Sequence, residues 1–214
     1  MSTLLDLMRS RRSVRRFRPD VPPRRLLLDL LEAATLAPSA SNKQPWRFIV
    51  VTSRPVIHRL AGHVRDAVDR IAAHVEPDCA PAFRAYGDYF TRFEGAPVVI
   101  VAAYRSLHLL SNLVDASLPE ADLARIVEME RSSGLIGTSL AIQNLLLRAP
   151  ELGLGASGMT GPLVASDGIR AALDLPEPWE IAALIPVGYP AEEPPPTDRK
   201  PVERVTVFIE EESP

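Results

Sequence analysis

The stretch Gly134–Leu147 constrains this chain more than any other. It reads as a long helix that is apolar nearly all round, with Gly134, Gly137, Thr138 and Ser139 small enough for close backbone approach. A chain of 214 residues fits one ordinary domain. Such a domain has too few elements to wrap one helix on every side, so the pattern predicts a partner subunit. The expected organisation is a single domain over 1–214, with about 190–214 forming an extended C-terminal arm after the proline-rich stretch Pro190–Pro201.

Around this helix the other elements follow from periodicity and capping. Thr3–Asp6 reads as a capping box opening a short helix. Pro22-Pro23 starts a second, in which Leu26, Leu27, Leu30, Leu31 and Ala34 recur at helical spacing until Ala37-Pro38. Ile57, Leu60, Val64, Val68 and Ile71 form an amphipathic stripe from about Pro55 to Ala73. Strands are expected at Arg47–Thr52, Pro97–Ala103, Leu154–Met159, Glu180–Gly188 and, thrown outward, Val202–Ile209. A helix is expected from Pro162 to Leu173, and Arg148-Ala149-Pro150 is read as interrupting the end of the central helix. Five aromatics between Phe83 and Phe93 belong on a helix and serve either the core or a cofactor stack. Residues 105–121 show no firm period.

Composition excludes several classes. Hydrophobic residues at 46% and charged residues at 24% are those of a folded globular chain. No apolar run is long enough to span a membrane, and no apolar core follows the N-terminal charges, so the expected compartment is cytoplasmic. The lone Cys79 excludes an internal disulfide framework and a cysteine-based zinc site. His58, His63, His74 and His108 lack metal-ligand spacing. A net charge of −3 gives no overall attraction to nucleic acid.

Charge is nevertheless unevenly placed. Of 24 basic side chains only Lys43 and Lys200 are lysine, and Arg9, Arg11, Arg12, Arg15, Arg16 and Arg18 crowd ten positions. Such a cluster is a solvated helix end, a nucleic-acid arm or targeting segment, or a phosphate clamp. Planar guanidiniums around Ser13 suit the clamp, because each can bind two phosphate oxygens at once. Pro38–Trp46 is a polar loop whose Ser39, Ser41, Asn42 and Gln44 are either ordinary loop residues or hydrogen-bonding partners for a heteroaromatic ring. Gly153–Gly158 spells the dinucleotide fingerprint but follows a helix and precedes a strand-like run, so it reads as a helix stop.

In combination these segments resemble the FMN-dependent nitroreductase family over nearly the whole chain. The resemblance rests on Arg11–Phe17, Ala37–Phe48, Ala96–Val101, Ala141–Leu147, Leu152–Gly155, Pro186–Pro190 and Arg199–Val205. It implies an α+β fold with a central mixed, mainly antiparallel sheet flanked by helices, in an intertwined homodimer with a C-terminal extension. It implies FMN held at the subunit interface. Arg11, Arg12 and Ser13 would take the phosphate and ribityl end, with Arg199 and Lys200. Arg15 would approach the pyrimidine edge. Pro38, Ser39, Ala40, Asn42 and Gln44 would come from the other subunit, and Gly158, Met159, Thr160 and Gly161 would pass near N5.

The implied activity is ping-pong reduction of a small aromatic, nitro- or quinone-like acceptor by NAD(P)H, with no catalytic side chain required and no metal. The same family hosts flavin-cleaving, dehalogenating and peptide-azoline-forming members, and a flavin-storing role is a further alternative. An arginine-rich nucleic-acid binder is the alternative outside the family. No asparagine matches the expected pyrimidine-edge contact after the first strand.

Overall fold

A computed structural model describes residues 3–209; residues 1–2 and 210–214, which include the end of the expected arm, lie outside the described part. The core is a four-stranded sheet in the order β1 (Trp46–Val51), β2 (Val98–Tyr104), β4 (Glu180–Gly188), β3 (Gly155–Ala156), with every neighbouring pair antiparallel. Side chains alternate across β2, so the strand feeds two cores. Val98, Ile100 and Ala102 join α2 (Arg24–Thr35) and α5 (Glu120–Glu151) on one face. Val99, Val101 and Ala103 join α3 (Arg54–Ala72) and α6 (Ser166–Ala172) on the other. A sheet of antiparallel neighbours with helices on both faces is the expected α+β arrangement; α5 joins β2 to β3, which run the same way on either side of β4.

Local chemistry explains the helix ends. Thr3 caps α1 (Leu4–Ser10) in a complete capping box with Asp6. α5 stops in a Schellman motif: Leu154 N–H bonds Ala149 O, Gly153 N–H bonds Pro150 O, and Gly153 sits at φ +69°. The fingerprint-like glycines are therefore a helix stop leading into β3, as the sequence suggested.

Several expectations need correction. The central helix begins at Glu120 rather than Gly134, and it runs through Pro150 to Glu151. The aromatic segment divides into α4 (Ala80–Gly87) and a 3-10 helix at Asp88–Gly95. The expected strand 154–159 shrinks to Gly155–Ala156 plus a single bridge from Met159 to Leu184. The expected helix at 162–173 is a 3-10 turn, Gly161–Ala165, followed by α6. Val202–Ile209 forms no strand among the described residues; it holds one 3-10 turn, Val202–Arg204, and Val207, Phe208 and Ile209 stand exposed. No helix among the described residues is long and apolar enough to cross a membrane.

Candidate functional site

The arginine segment leaves α1 as an extended strip clipped on both sides. Ser13 bridges Ala156 in parallel, and Val14 N–H bonds Ala156 O at 3.2 Å. On the other side Phe17 bridges Pro190, and Arg18 N–H bonds Tyr189 O at 2.9 Å. Glu192 completes the clip, its Oε1 accepting the backbone N–H of Arg15 at 2.9 Å and of Arg16 at 3.1 Å. No sequence signal marks Glu192, which bonds the strip's backbone, pairs with the Arg16 guanidinium at 3.8 Å and leaves those of Arg11, Arg12 and Arg15 without a carboxylate among the described residues.

Those guanidiniums differ in occupation. Arg12 folds back on the carbonyls of Arg9 and Arg11, at 2.7 and 3.0 Å. Arg15 reaches Ser13 O at 3.3 Å. Among the described residues the half-buried Arg11 guanidinium makes no hydrogen bond or ion pair. Three guanidiniums with no carboxylate partner, beside a serine, form a donor set suited to a phosphate. A cleft of about 460 Å³ opens beside the strip between Arg12, Val14, Leu146, Gly153 and Glu192. It contains neither Arg11 nor Gly158–Gly161, so it adjoins the expected cofactor position and does not coincide with it.

Because Ser13 is fixed on Ala156, the arginine strip lies directly before the turn Gly158–Gly161. Ser157, between them, is buried with a hydroxyl that has no hydrogen-bond partner among the described residues. Met159 exchanges backbone hydrogen bonds with Leu184, at 2.9 and 3.0 Å, which holds the turn against the sheet. A Cβ at Gly161 would fall 2.6 Å from Phe90 Cε1, so this position admits no side chain without moving that ring.

The loop Pro38–Gln44 is strained and elsewhere. Ser41, Asn42 and Gln44 take φ of 50°, 52° and 47°, a region that costs free energy for residues other than glycine. The bond from Gln44 N–H to Ser39 Oγ, at 2.9 Å, and the bond from Arg105 N–H to Pro45 O, at 3.1 Å, hold it. The loop rests on α5 where Gly137 would bring a Cβ within 3.4 Å of Ser39 Cβ. The Gly158 turn approaches α5 at Ile142 and Leu146. At about 100° per residue these contacts lie roughly 140–180° apart around the helix. Within one chain the loop and the turn therefore flank different sides of α5.

Arg199 and Lys200 are exposed, and the Arg199 guanidinium donates to Thr197 Oγ1 and Asp198 O. Among the described residues no hydrogen bond ties this pair to the arginine strip. The structure thus brings Arg11, Arg12, Ser13, Arg15 and Gly158–Gly161 to one side of the molecule. It leaves Pro38, Ser39, Ala40, Asn42, Gln44, Arg199 and Lys200 apart from them.

The base of the loop carries polar pairing that sequence reading missed. Tyr104, buried on β2, donates its hydroxyl to Glu180 Oε2 at 2.9 Å, and Arg131 of α5 holds the same carboxylate through Nε at 3.0 Å and Nη2 at 2.8 Å. Arg131 first, with the Tyr104 hydrogen bond, keeps the Glu180 carboxyl below its ordinary range despite burial. Burial and the bond to Glu180 push the Tyr104 hydroxyl up to about 12. No group of His, Cys, Asp and Glu able to hold a metal ion occurs among the described residues.

Comparison with known proteins gives the same frame. The sequence model of the Nitroreductase family matches residues 8–189. A protein of Thermus thermophilus named NADH dehydrogenase is 34% identical over 213 residues, covering 92% of each chain. Iodotyrosine deiodinase of Thermotoga neapolitana is 29% identical over 192 residues, covering 89% of this chain and 90% of its own. Among solved structures, a BluB-like flavoprotein from Clostridium difficile is 26% identical and superimposes with a TM-score of 0.85, covering 98% of this chain and 100% of the other.

Proposed function

The chain belongs to the nitroreductase family, and from that premise we propose that it is an FMN-dependent oxidoreductase in which NAD(P)H reduces a small aromatic, nitro- or quinone-like acceptor. The observation that carries this reading is the arginine strip. Its backbone is held at Val14, Arg15, Arg16 and Arg18, the guanidiniums of Arg11, Arg12 and Arg15 have no carboxylate partner among the described residues, and it is clipped to the strand that leads into the glycine turn. Those donors fit the phosphate of FMN, and the turn Gly158–Gly161, set beside them by the Ser13–Ala156 bridge, is the place for its ring. FMN, when bound, supplies two-electron chemistry, so that NAD(P)H, a proton and a quinone become NAD(P)+ and a hydroquinone.

The protein's own work is then to bind and orient. Arg11, Arg12 and Ser13 neutralise the phosphate. Arg15 places positive charge at the pyrimidine edge, where negative charge develops on reduction. Pro38, Ser39, Ala40, Asn42 and Gln44 act on a partner's site, because α5 separates them from the turn in their own chain. The stripe Met129, Ile136 and Leu140, exposed on α5 by 49%, 59% and 43%, is the contact face for that second copy. The exposed segment carrying Arg199, Lys200, Val207 and Phe208 is the arm that would wrap the partner.

A visible absorption spectrum of the purified protein with FMN, before and after anaerobic NADH or NADPH, tests this reading. A bound flavin spectrum that bleaches with one nucleotide is expected; failure to take up FMN overturns it. Arg11→Ala should weaken FMN binding by about 1.5–3 kcal/mol, the scale of a charge-assisted hydrogen bond. The likeness to a deiodinase favours a second reading, in which the two electrons and a proton replace an aryl halogen with hydrogen and release halide. Halide release from 3-iodotyrosine under the same reducing conditions separates the two.

A further inference from the structure

The aromatic segment Phe83–Phe93 meets the glycine turn through Phe90. Phe93 is fully buried and anchors the segment in the core. Gly87 packs so closely on α3 that a Cβ there would lie 2.6 Å from Val68 Cγ1, which seats the end of α4 on a rigid neighbour. From this platform Phe90 fills the space beside Gly161. Tyr86 stands edge-on to Phe90, ring centroids 5.0 Å apart at 76°, and is 65% exposed. Tyr89 is also half-exposed, but the Arg92 guanidinium covers its ring at 3.5 Å. Of the three rings, Phe90 is taken up by Gly161 and Tyr86, and Tyr89 by Arg92. Tyr86 alone keeps an open face, one ring removed from the glycine turn.

We infer that Tyr86, backed by Phe90, is the specificity-determining wall of the acceptor site and selects planar aromatic or quinoid rings by ring-on-ring contact. This rests on the reading of Gly158–Gly161 as the flavin turn. An aromatic pair prefers offset or edge-on geometry and adds to the free energy of simple area burial. The Tyr86–Phe90 pair is already set in such a geometry, so a planar acceptor extends an existing aromatic array without moving the protein. The two tyrosines also divide the roles: Arg92 removes Tyr89 from competition for the same ligand.

The test uses the FMN-loaded protein with 1,4-benzoquinone and ferricyanide, the second having no aromatic ring. For Tyr86→Ala the selectivity for benzoquinone over ferricyanide should fall about 3- to 10-fold, chiefly through a higher KM. Tyr86→Phe should retain wild-type selectivity, since the ring and not the hydroxyl is used, and Tyr89→Ala should leave the benzoquinone KM within about twofold. An unchanged selectivity in Tyr86→Ala, with FMN still bound, overturns this inference and leaves the flavin reading standing. A change of oligomeric state in Tyr86→Ala with the benzoquinone KM unaltered likewise overturns it, assigning the open face to the second copy. Failure of the unsubstituted protein to bind FMN overturns the flavin reading and this inference together.

Discussion

Glu130 holds Ser111 at both ends of the residue: its Oε2 accepts the serine hydroxyl at 2.6 Å and its Oε1 the backbone N–H at 3.2 Å. The carboxylate is 2% exposed, lies in α5 and also accepts the N–H of Leu110. It is the pin that fixes the aperiodic stretch between β2 and α5. Burial pushes its carboxyl up, but the hydrogen bonds from Ser111 and the neighbouring amides outweigh that and hold it below the ordinary value.

Removing that pin should release the stretch. Glu130→Ala leaves two amides and a hydroxyl without their acceptor and should cost about 2–4 kcal/mol, with Glu130→Gln costing less. Hydrogen exchange at Leu110 and Ser111 should accelerate in both. Unchanged exchange there would show that other contacts hold the segment.

Acid should weaken the fold through Glu130 and Glu180, whose folded-state values both lie below the ordinary 4.5. A depressed carboxylate stabilises the fold above its unfolded value, and that contribution is lost as pH falls through the folded one. The melting temperature should therefore drop below pH 4.5. Glu180→Gln should start lower at neutral pH and fall less steeply in acid.

At the alkaline end the sign reverses for Tyr104. Its folded value is raised from 10.0 to about 12, so its contribution is complete below 10 and disappears as pH climbs toward 12. Ultraviolet titration should show a late tyrosinate phase that Tyr104→Phe lacks. A Tyr104→Phe titration superimposable on the unsubstituted one would refute the assignment.

Gly155 marks where the arginine strip touches the sheet, since a Cβ there would sit 2.7 Å from Val14 Cβ. Gly155→Ala should displace the strip, cost about 1–3 kcal/mol as overpacking, and weaken FMN binding. Gly158→Ala is the contrast, because nothing lies closer than 3.8 Å to its added carbon. Equal stability losses in the two variants would argue against a pinned strip.

The α5 stripe gives the last prediction. Ile136 is 59% exposed in one chain, so on the proposed dimer Ile136→Glu should leave the single chain folded while shifting dimer to monomer by light scattering. FMN affinity should fall with it, because the loop at Ser39–Gln44 would no longer reach a second site. A variant that stays dimeric moves the interface off this helix.

Much of this was readable from residue order because it depends on neighbours in sequence. Thr3 and Asp6 are three apart and close their capping box locally. Leu27, Leu30 and Ala34 share a helical face and are all buried. The aliphatic run in β2 is buried from end to end. The first 14 residues of α5 carry no helical signal in the sequence, because Glu120–Ser133 is mostly exposed and its charged pattern has no strong period. Val202–Ile209 has the composition of a strand, but a strand needs a hydrogen-bonding neighbour and it has none among the described residues.

Residue order alone carries the capped and amphipathic helices at 4–10, 24–35 and 54–72, the central strands, the family and the types of donor available to a cofactor, because each depends on spacing along the chain or on side-chain chemistry. Only the tertiary structure decided which donors meet. Ser13 and Ala156 are far apart in sequence, and only a parallel bridge sets the arginine strip before the glycine turn. Phe90 against Gly161, Glu192 beneath Arg15, and the loop and turn on different sides of α5 are likewise products of packing. Such pairs follow from the simultaneous closure of two cores around one sheet, which no local pattern of residues encodes.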